Sequence, residues 1–537
     1  MKSALSWVVV VAALLPSFAA CGSDAPIVAE FDAGADTFVP DAPLTCQGGK
    51  SLCGSACSDT TSDPQNCGGC SNACKQGDLC CAGKCVNGSS CDFAVTKISP
   101  FKGNQSGGDW INLEGKGFTP DMAVYIGDGR APVKVNDATH AIIQTPPGPI
   151  GTYDISIKNS MSSSLTRSAF VYQTAGLMLP WQKKPMSSVR GEHPGIAVLQ
   201  DGRVLVAGGT TIPDNALQTL TTAEIYTRSS DTVVPTKNNM AVKRWHDAAI
   251  TMMDGRVAIA GYGDCAGDLC KTIDIFDPAT DTFTQSKALL TLARSSVWGV
   301  LMADGRVMFT SAQSVNEAGS VDVYDPDKDT VTQYALKVPH YFGQRIVRMR
   351  DGRVMVMGGD GCDGANPCTL AQNVAEVFDG AAFSLVAPMK KGRSQFTAHT
   401  LPDGRVMVFG GASSSAGGVT NPMPEIESYD PKTNTWTEQT YKLSSGRTWH
   451  ASALVRDGTI LVMGGYTLGG SCAPAATVDQ VDPITNTVVS FGTLPTPNTE
   501  WNAVTLLDGS VLGVGGGACG GVALPDLDFL PGAPAPQ

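Results

Sequence analysis

Five arginines recur at a near-fixed offset through the last two-thirds of this chain. Arg244, Arg294, Arg393 and Arg447 each lie ten residues before an Asp-Gly pair, and Arg190 lies eleven before. Around them stand His193, Trp245, His246, Trp298, Tyr341, Phe342, Trp449, His450, Glu500 and Trp501. A ring of guanidinium groups beside exposed aromatics suits carboxylate or sugar recognition, through bidentate hydrogen bonds and stacking. The same phasing also fits a packing role, in which each arginine satisfies loop carbonyls between repeats. For any one residue packing is the better expectation; as a face, the set is the best binding candidate. No nucleophile–base pair or pair of carboxylates stands out, so no catalytic residue, metal ligand or cofactor is assigned.

The 17 cysteines form the second chemical pattern, and they fit an oxidising compartment. Ten lie between Cys46 and Cys91, where apolar residues other than cysteine are few. Such a segment cannot build an adequate core and must be held by disulfides. Its Cys67-x-x-Cys70 spacing also fits zinc or a redox dithiol, but structural bridging is the expectation, with pairing unreadable from sequence. Six further cysteines fall in long loops of the repeats. They are expected to pair as Cys265–Cys270, Cys362–Cys368 and Cys472–Cys519, since no histidine is interspersed to suggest a metal.

The elements that must position these groups repeat. Asp-Gly pairs begin at Asp201, Asp254, Asp304, Asp351, Asp403, Asp457 and Asp508, at intervals of 53, 50, 47, 52, 54 and 51 residues. Each repeat reads as four short strands, a to d. Strand a (Ala248–Met252, for instance) precedes the Asp-Gly turn, and strand b follows it, as in Arg405–Gly411. Strand c ends in an aromatic-Asp-Pro motif at Phe276, Tyr324 and Tyr429, and strand d follows a Thr-x-Thr turn such as Thr433–Thr435. One such unit cannot bury both of its faces, so repeats must stack into a closed ring. The landmarks resemble the kelch repeat of galactose-oxidase-like propellers over about 350 residues. The resemblance implies an all-β, seven-bladed kelch β-propeller over 177–531. The segment Leu177–Gln182 is expected to supply the missing strand d of the last blade and so remove an open sheet edge.

Copper-radical oxidases share this propeller, and in that family copper is held by two histidines and two tyrosines, one of them cross-linked to a cysteine. The position matching the family's Tyr-His pair reads Trp449-His450 here, and the chain holds no Tyr-His dipeptide. An indole is not an oxygen ligand, which disfavours a copper site. Sialidase-type Asp boxes are also missing, since Ser445–Trp449 lacks the aspartate.

Ahead of the repeats, residues 94–173 hold short alternating strands separated by Gly and Pro turns, an antiparallel β-sandwich pattern. Ser99-Pro100, Gly107-Gly108, Gly115-x-Gly117-Phe118 and Phe170-x-Tyr172 resemble the immunoglobulin-like IPT/TIG domain. Residues 46–91 contain Asp63–Cys70, which resembles the stigma-specific-protein-like cysteine motif and implies no chemistry. Residues 1–20 read as a signal peptide with Lys2 before the apolar run Ala4–Leu15, too short to span a bilayer. Ser17-Phe18-Ala19-Ala20-Cys21 resembles a bacterial lipobox, with Cys21 the lipidated residue, although Phe18 departs from the usual leucine. Residues 21–45 are acidic, Pro- and Ala-rich and free of Lys and Arg, the composition of a disordered tether.

A net charge of −12 with no basic run excludes a nucleic-acid partner. The expectation is a monomeric lipoprotein on the cell surface or outer membrane, its propeller binding a surface protein or glycan without catalysis. The competing expectation is a galactose-oxidase-like or other sugar-processing enzyme.

Overall fold

In the computed structural model, the described residues are 46, 50–60, 63–76, 78–81, 84–87, 93–173, 180–211, 218–261, 263, 265–310, 318–361, 370–413, 421–467, 474–518 and 522–531. The expected signal peptide, Cys21 and the tether lie outside them, as do the Cys362–Cys368 and Cys472–Cys519 pairs. Among the described residues no helix is long and apolar enough to cross a membrane.

Two hairpins, Ser51–Cys53 with Ala56–Ser58 and Asp78–Cys81 with Lys84–Asn87, carry the cysteine-rich segment. Among the described residues four disulfides staple it: Cys46–Cys57, Cys53–Cys70, Cys67–Cys80 and Cys74–Cys85. Cys67 and Cys70 therefore bond to different partners and are not a dithiol pair. Residues 94–173 then form two stacked sheets of four and five strands. Ile111, Leu113, Val124, Ile143, Ile155 and Phe170 fill the space between them.

The repeats follow. Among the described residues, seven sheets each place four strands in the order a-b-c-d, all antiparallel. The a strands begin at Gly195, Ala248, Trp298, Arg345, Thr397, Ala451 and Thr499. Each touches the a strand of the next sheet, and the first touches the last, so the sheets close a ring about an axis. The b strands of the first six sheets, for example Val204–Ala207 and Val406–Phe409, are buried at every position. Strict alternation fails there because each sheet has a neighbour on both faces. Every gap between adjacent sheets holds its own apolar cluster; Val204, Val206 and Tyr226 meet Leu512, Val514 and Phe529 across the closing gap.

The strand that completes the last sheet is Gln182–Pro185, paired antiparallel with Asp526–Phe529. It shares Gln182 with the expected Leu177–Gln182 segment, whose residues 177–179 lie outside the described ones, and runs on beyond it. The polar Lys183 side chain faces solvent and reaches Asp526 at 3.4 Å, an edge-strand pattern that an apolar run would not reveal.

The Asp-Gly signature has a local cause. In every repeat the Asp carboxylate accepts the backbone N–H two residues on, at 2.9–3.1 Å. The glycine between them takes a φ of 83–92°, which a side chain disfavours. These turns ring one end of the axis. The IPT/TIG-like sandwich sits on that end. Arg350 pairs with Asp128 at 2.7 Å and donates to the Pro147 carbonyl, and Trp110 and Ile142 pack on the cluster between the second and third sheets. Between sandwich and a strands lies an axial cavity of ≈ 480 Å³, lined by Trp110, Gln144, Arg348 and His399 among others. The sandwich thus covers the turn end and not the opposite, loop end.

Candidate binding face at the loop end of the axis

The five arginines do not form this face. Arg190, Arg244, Arg294, Arg393 and Arg447 are all fully buried. Each meets an acid on strand c of its own sheet: Arg190–Glu224 at 2.9 Å, Arg244–Asp274 at 2.8 Å, Arg294–Asp322 at 2.7 Å, Arg393–Glu427 at 2.6 Å and Arg447–Asp479 at 3.0 Å. The guanidinium also donates to the carbonyl that ends strand b, as at Gly208, Gly410 and Gly464. The acid in turn accepts backbone N–H groups of the loop entering strand a, such as Lys390 and Lys391 on Glu427. Each unit therefore latches three segments of one sheet, and the packing role is the one the structure gives these arginines. The fourth sheet uses His340, which hydrogen-bonds the Gly358 carbonyl at 2.8 Å and lies 3.4 Å from Glu376. The seventh uses Asn498, donating to the Gly515 carbonyl at 3.0 Å, and leaves Asp528 with no guanidinium. Burial pushes the Asp528 carboxyl up to about 7. Trp501 is also withdrawn from the expected face, being 1 % exposed in the apolar cluster between sheets six and seven.

What remains at the loop end is a ring that the arginines only flank. Residues 193, 246, 296, 343, 395, 449 and 500 each lie eight before the Asp of their turn. All seven have positive φ, from 47° to 83°, and Gly343 is the one glycine. Hydrogen bonds run from sheet to sheet through them: Gln395 N–H to the Gly343 carbonyl, Trp449 to Gln395, Glu500 to Trp449 and His193 to Glu500, at 2.9–3.2 Å. The left-handed turn frees these four N–H groups for the neighbouring sheet, at a conformational cost of about 1 kcal/mol for a non-glycine residue. The Gly-Gly ends of strand b give this ring room, since a Cβ on Gly411 would sit 2.7 Å from the Ser394 carbonyl oxygen.

The ring gathers side chains distant in sequence. His193 and His246 meet edge to face, with ring centres 4.7 Å apart. The Trp449 indole packs on both, at 5.3 and 5.8 Å, and on Phe342 at 5.2 Å. Trp298 lies 6.0 Å from His193, and Trp245 lies 4.8 Å from His246. Under them the Arg345 guanidinium stacks 3.8 Å from the centre of the Trp298 ring. Burial drives His246 down to about 3, helped by the nearby Arg345 charge, and drives His193 well below its ordinary value. Both imidazoles are neutral at pH 7. At one side burial pushes Glu500 up to about 7, with the neighbouring Glu192 adding repulsion; burial raises Glu192 as well. His450 is buried away from the mouth, 3.0 Å from the Thr397 hydroxyl.

The expected set thus divides. His193, Trp245, His246, Trp449 and Glu500 share the mouth; the five arginines, His450 and Trp501 do not present themselves there. Arg345 was missed, although a cation inside a strand (Arg345-Ile346-Val347-Arg348), where other a strands are mostly apolar, was a readable signal. Among the described residues, the grouping of metal-ligand types close enough to share an ion is Cys67, Cys74 and Cys85, which are committed to disulfides. The Cys265–Cys270 bridge is present as expected, clipping a loop that emerges from strand b of the second sheet.

No curated protein matches the chain. A solved structure, that of YjhT, is similar at 14% identity over 57% of this chain and 98% of its own, with a TM-score of 0.41. Family matches cover three segments: the stigma-specific STIG1-like family at residues 42–95, the IPT/TIG domain at 94–172 and the kelch motif at 393–441. The chain accordingly combines a stigma-specific-like cysteine-rich segment, an IPT/TIG domain and kelch motifs in one all-β assembly.

Proposed function

We propose that this is a lipid-anchored surface protein whose kelch propeller binds a glycan or a surface protein at the loop end of its axis, without catalysis. The observation that carries the reading is the mouth itself. Neutral imidazoles and the Trp449, Phe342 and Trp298 rings gather there on a strained backbone ring, while the turn end is covered by the IPT/TIG domain. Aromatic faces flanked by a few polar groups suit stacking on a sugar or capture of a protruding side chain. Disulfides in the N-terminal segment and the propeller support an exported chain. Display through Cys21 and the acidic tether follows from the sequence.

Glycan-array and pull-down screening of the full chain against its Trp449→Ala variant tests the binding reading. Ligands retained equally by both would remove the mouth from consideration. Detergent partitioning of wild type against Cys21→Ala tests the anchor. A second reading, sugar processing, is favoured by Glu500, pushed up to about 7 and so suited to proton transfer near neutrality, with the Glu192 carboxyl, itself raised by burial, beside it. Turnover of aryl glycosides that disappears in Glu500→Gln would favour it over simple binding.

A further inference from the structure

The five latch arginines show how this protein treats a buried guanidinium: each has a carboxylate within 3.0 Å. Arg345 departs from that rule. It is 6 % exposed, yet among the described residues its side chain makes one hydrogen bond, to its neighbour's carbonyl at Gln344, and no ion pair. Its remaining contacts are the faces of Trp298 and Phe396, at 3.8 and 5.8 Å. Cation–π stacking attracts the charge without neutralising it or satisfying its N–H donors. A buried cation without an anion is costly, and most proteins supply a partner. Arg348, three residues on, also lacks a carboxylate, but it is used otherwise: it donates to the Leu301 carbonyl at 2.7 Å and to Gln144 of the IPT/TIG domain at 3.3 Å.

A second group points the same way. His193 is 2 % exposed, and its Nε2 has no hydrogen-bond partner among the described residues, while Nδ1 lies 3.3 Å from the Asn502 side-chain oxygen. His193 is bracketed by Trp298, the residue on which Arg345 stacks, and by Trp449. Two unfulfilled polar groups, one of them a fixed cation, thus share one aromatic enclosure at the ligand-facing end of the axis.

We propose that the mouth reads a carboxylate: Arg345 supplies the charge and donor fork, His193 a second polar contact, and the Trp449 and Trp298 rings the walls. The ligand class is a small acid such as a uronic acid or another acidic sugar. This rests on the binding-face reading above and narrows it. A planar fork matches a carboxylate in a way an ammonium does not.

Isothermal titration calorimetry of the full chain with galacturonate and with galactose tests the proposal. Galacturonate should bind saturably and galactose at least about tenfold more weakly. A lost charged hydrogen bond corresponds to roughly tenfold to a hundredfold in affinity, so Arg345→Gln should weaken galacturonate by that factor. Arg345→Lys should recover only part of it. Should Arg345→Gln fail to fold, His193→Ala serves as the second variant and should also weaken galacturonate. Equal binding of the two sugars, no binding of galacturonate, or unchanged affinity in the folded variants overturns the proposal. Neutral glycans that are lost in Trp449→Ala but kept in Arg345→Gln would overturn it while leaving the binding face intact.

Discussion

Replacing Arg294 with methionine tests the latch reading where its geometry is cleanest. The guanidinium and the Asp322 carboxylate are both fully buried and meet at 2.7 Å. Arg294 also donates to the Ser320 carbonyl at 2.9 Å and the Ser320 hydroxyl at 3.0 Å. Methionine keeps much of the volume but leaves Asp322 with only Thr291, whose N–H and hydroxyl lie at 3.1 and 2.6 Å. Breaking a buried pair from one side costs about 3–5 kcal/mol, because a charge is stranded in low dielectric. Removing both charges, as Arg294→Met with Asp322→Asn, should cost clearly less than the two single changes summed. The expected coupling is about 2 kcal/mol. Urea unfolding of wild type, both single variants and the double variant measures it. Ligand affinity at the mouth should stay unchanged in every variant that folds. A single-variant cost under about 1 kcal/mol, or additivity, would refute the latch reading of Arg294.

Asp528 gives a pH prediction. Its carboxyl, lacking the arginine present in other sheets, is raised from an ordinary value near 4 to about 7. A raised acid favours the folded state below its unfolded value, and that advantage is lost as pH rises from about 4 to about 7. Asp528→Asn should therefore match wild type near pH 4 and exceed it by about 2–4 kcal/mol at pH 8; equal stability at both pH values contradicts the assignment. The Cys265–Cys270 bridge spans a separation of 5 residues, so serine at both positions should cost about 2 kcal/mol, checked by denaturant midpoint. Arg350→Ala removes the Asp128 pair and the Pro147 hydrogen bond that hold the IPT/TIG domain on the turn end. Calorimetry should then show the domain melting ahead of the propeller, while an unaltered single transition would show that Trp110 and Ile142 suffice.

The repeat phasing was legible from local chemistry. An Asp-Gly turn is recognisable wherever it occurs, because the aspartate caps the N–H two residues on and glycine takes the left-handed position. The strand pattern between turns followed. The latch was also partly readable: an acid stands two residues before the residue closing strand c in Glu224-Ile225-Tyr226, Asp274-Ile275-Phe276, Asp322-Val323-Tyr324 and Glu427-Ser428-Tyr429. Reading the arginines alone, without that acid, left packing and a binding face both open, and their burial against the acids of strand c assigns them to packing.

The structure showed that the residues eight before each turn take positive φ; residue types and their spacing determined only which side chains exist at each phase of the repeat. They did not determine which of those side chains touch. Trp449 meets His193, His246 and Phe342 because ring closure brings sheets one, two, four and six to a common axis, across up to about 260 residues of chain. Whether a guanidinium is paired or alone is likewise a matter of what packs against it. Arg294 and Arg345 share a residue type but stand at different phases of neighbouring sheets, and the tertiary structure gives one a carboxylate and the other a tryptophan face.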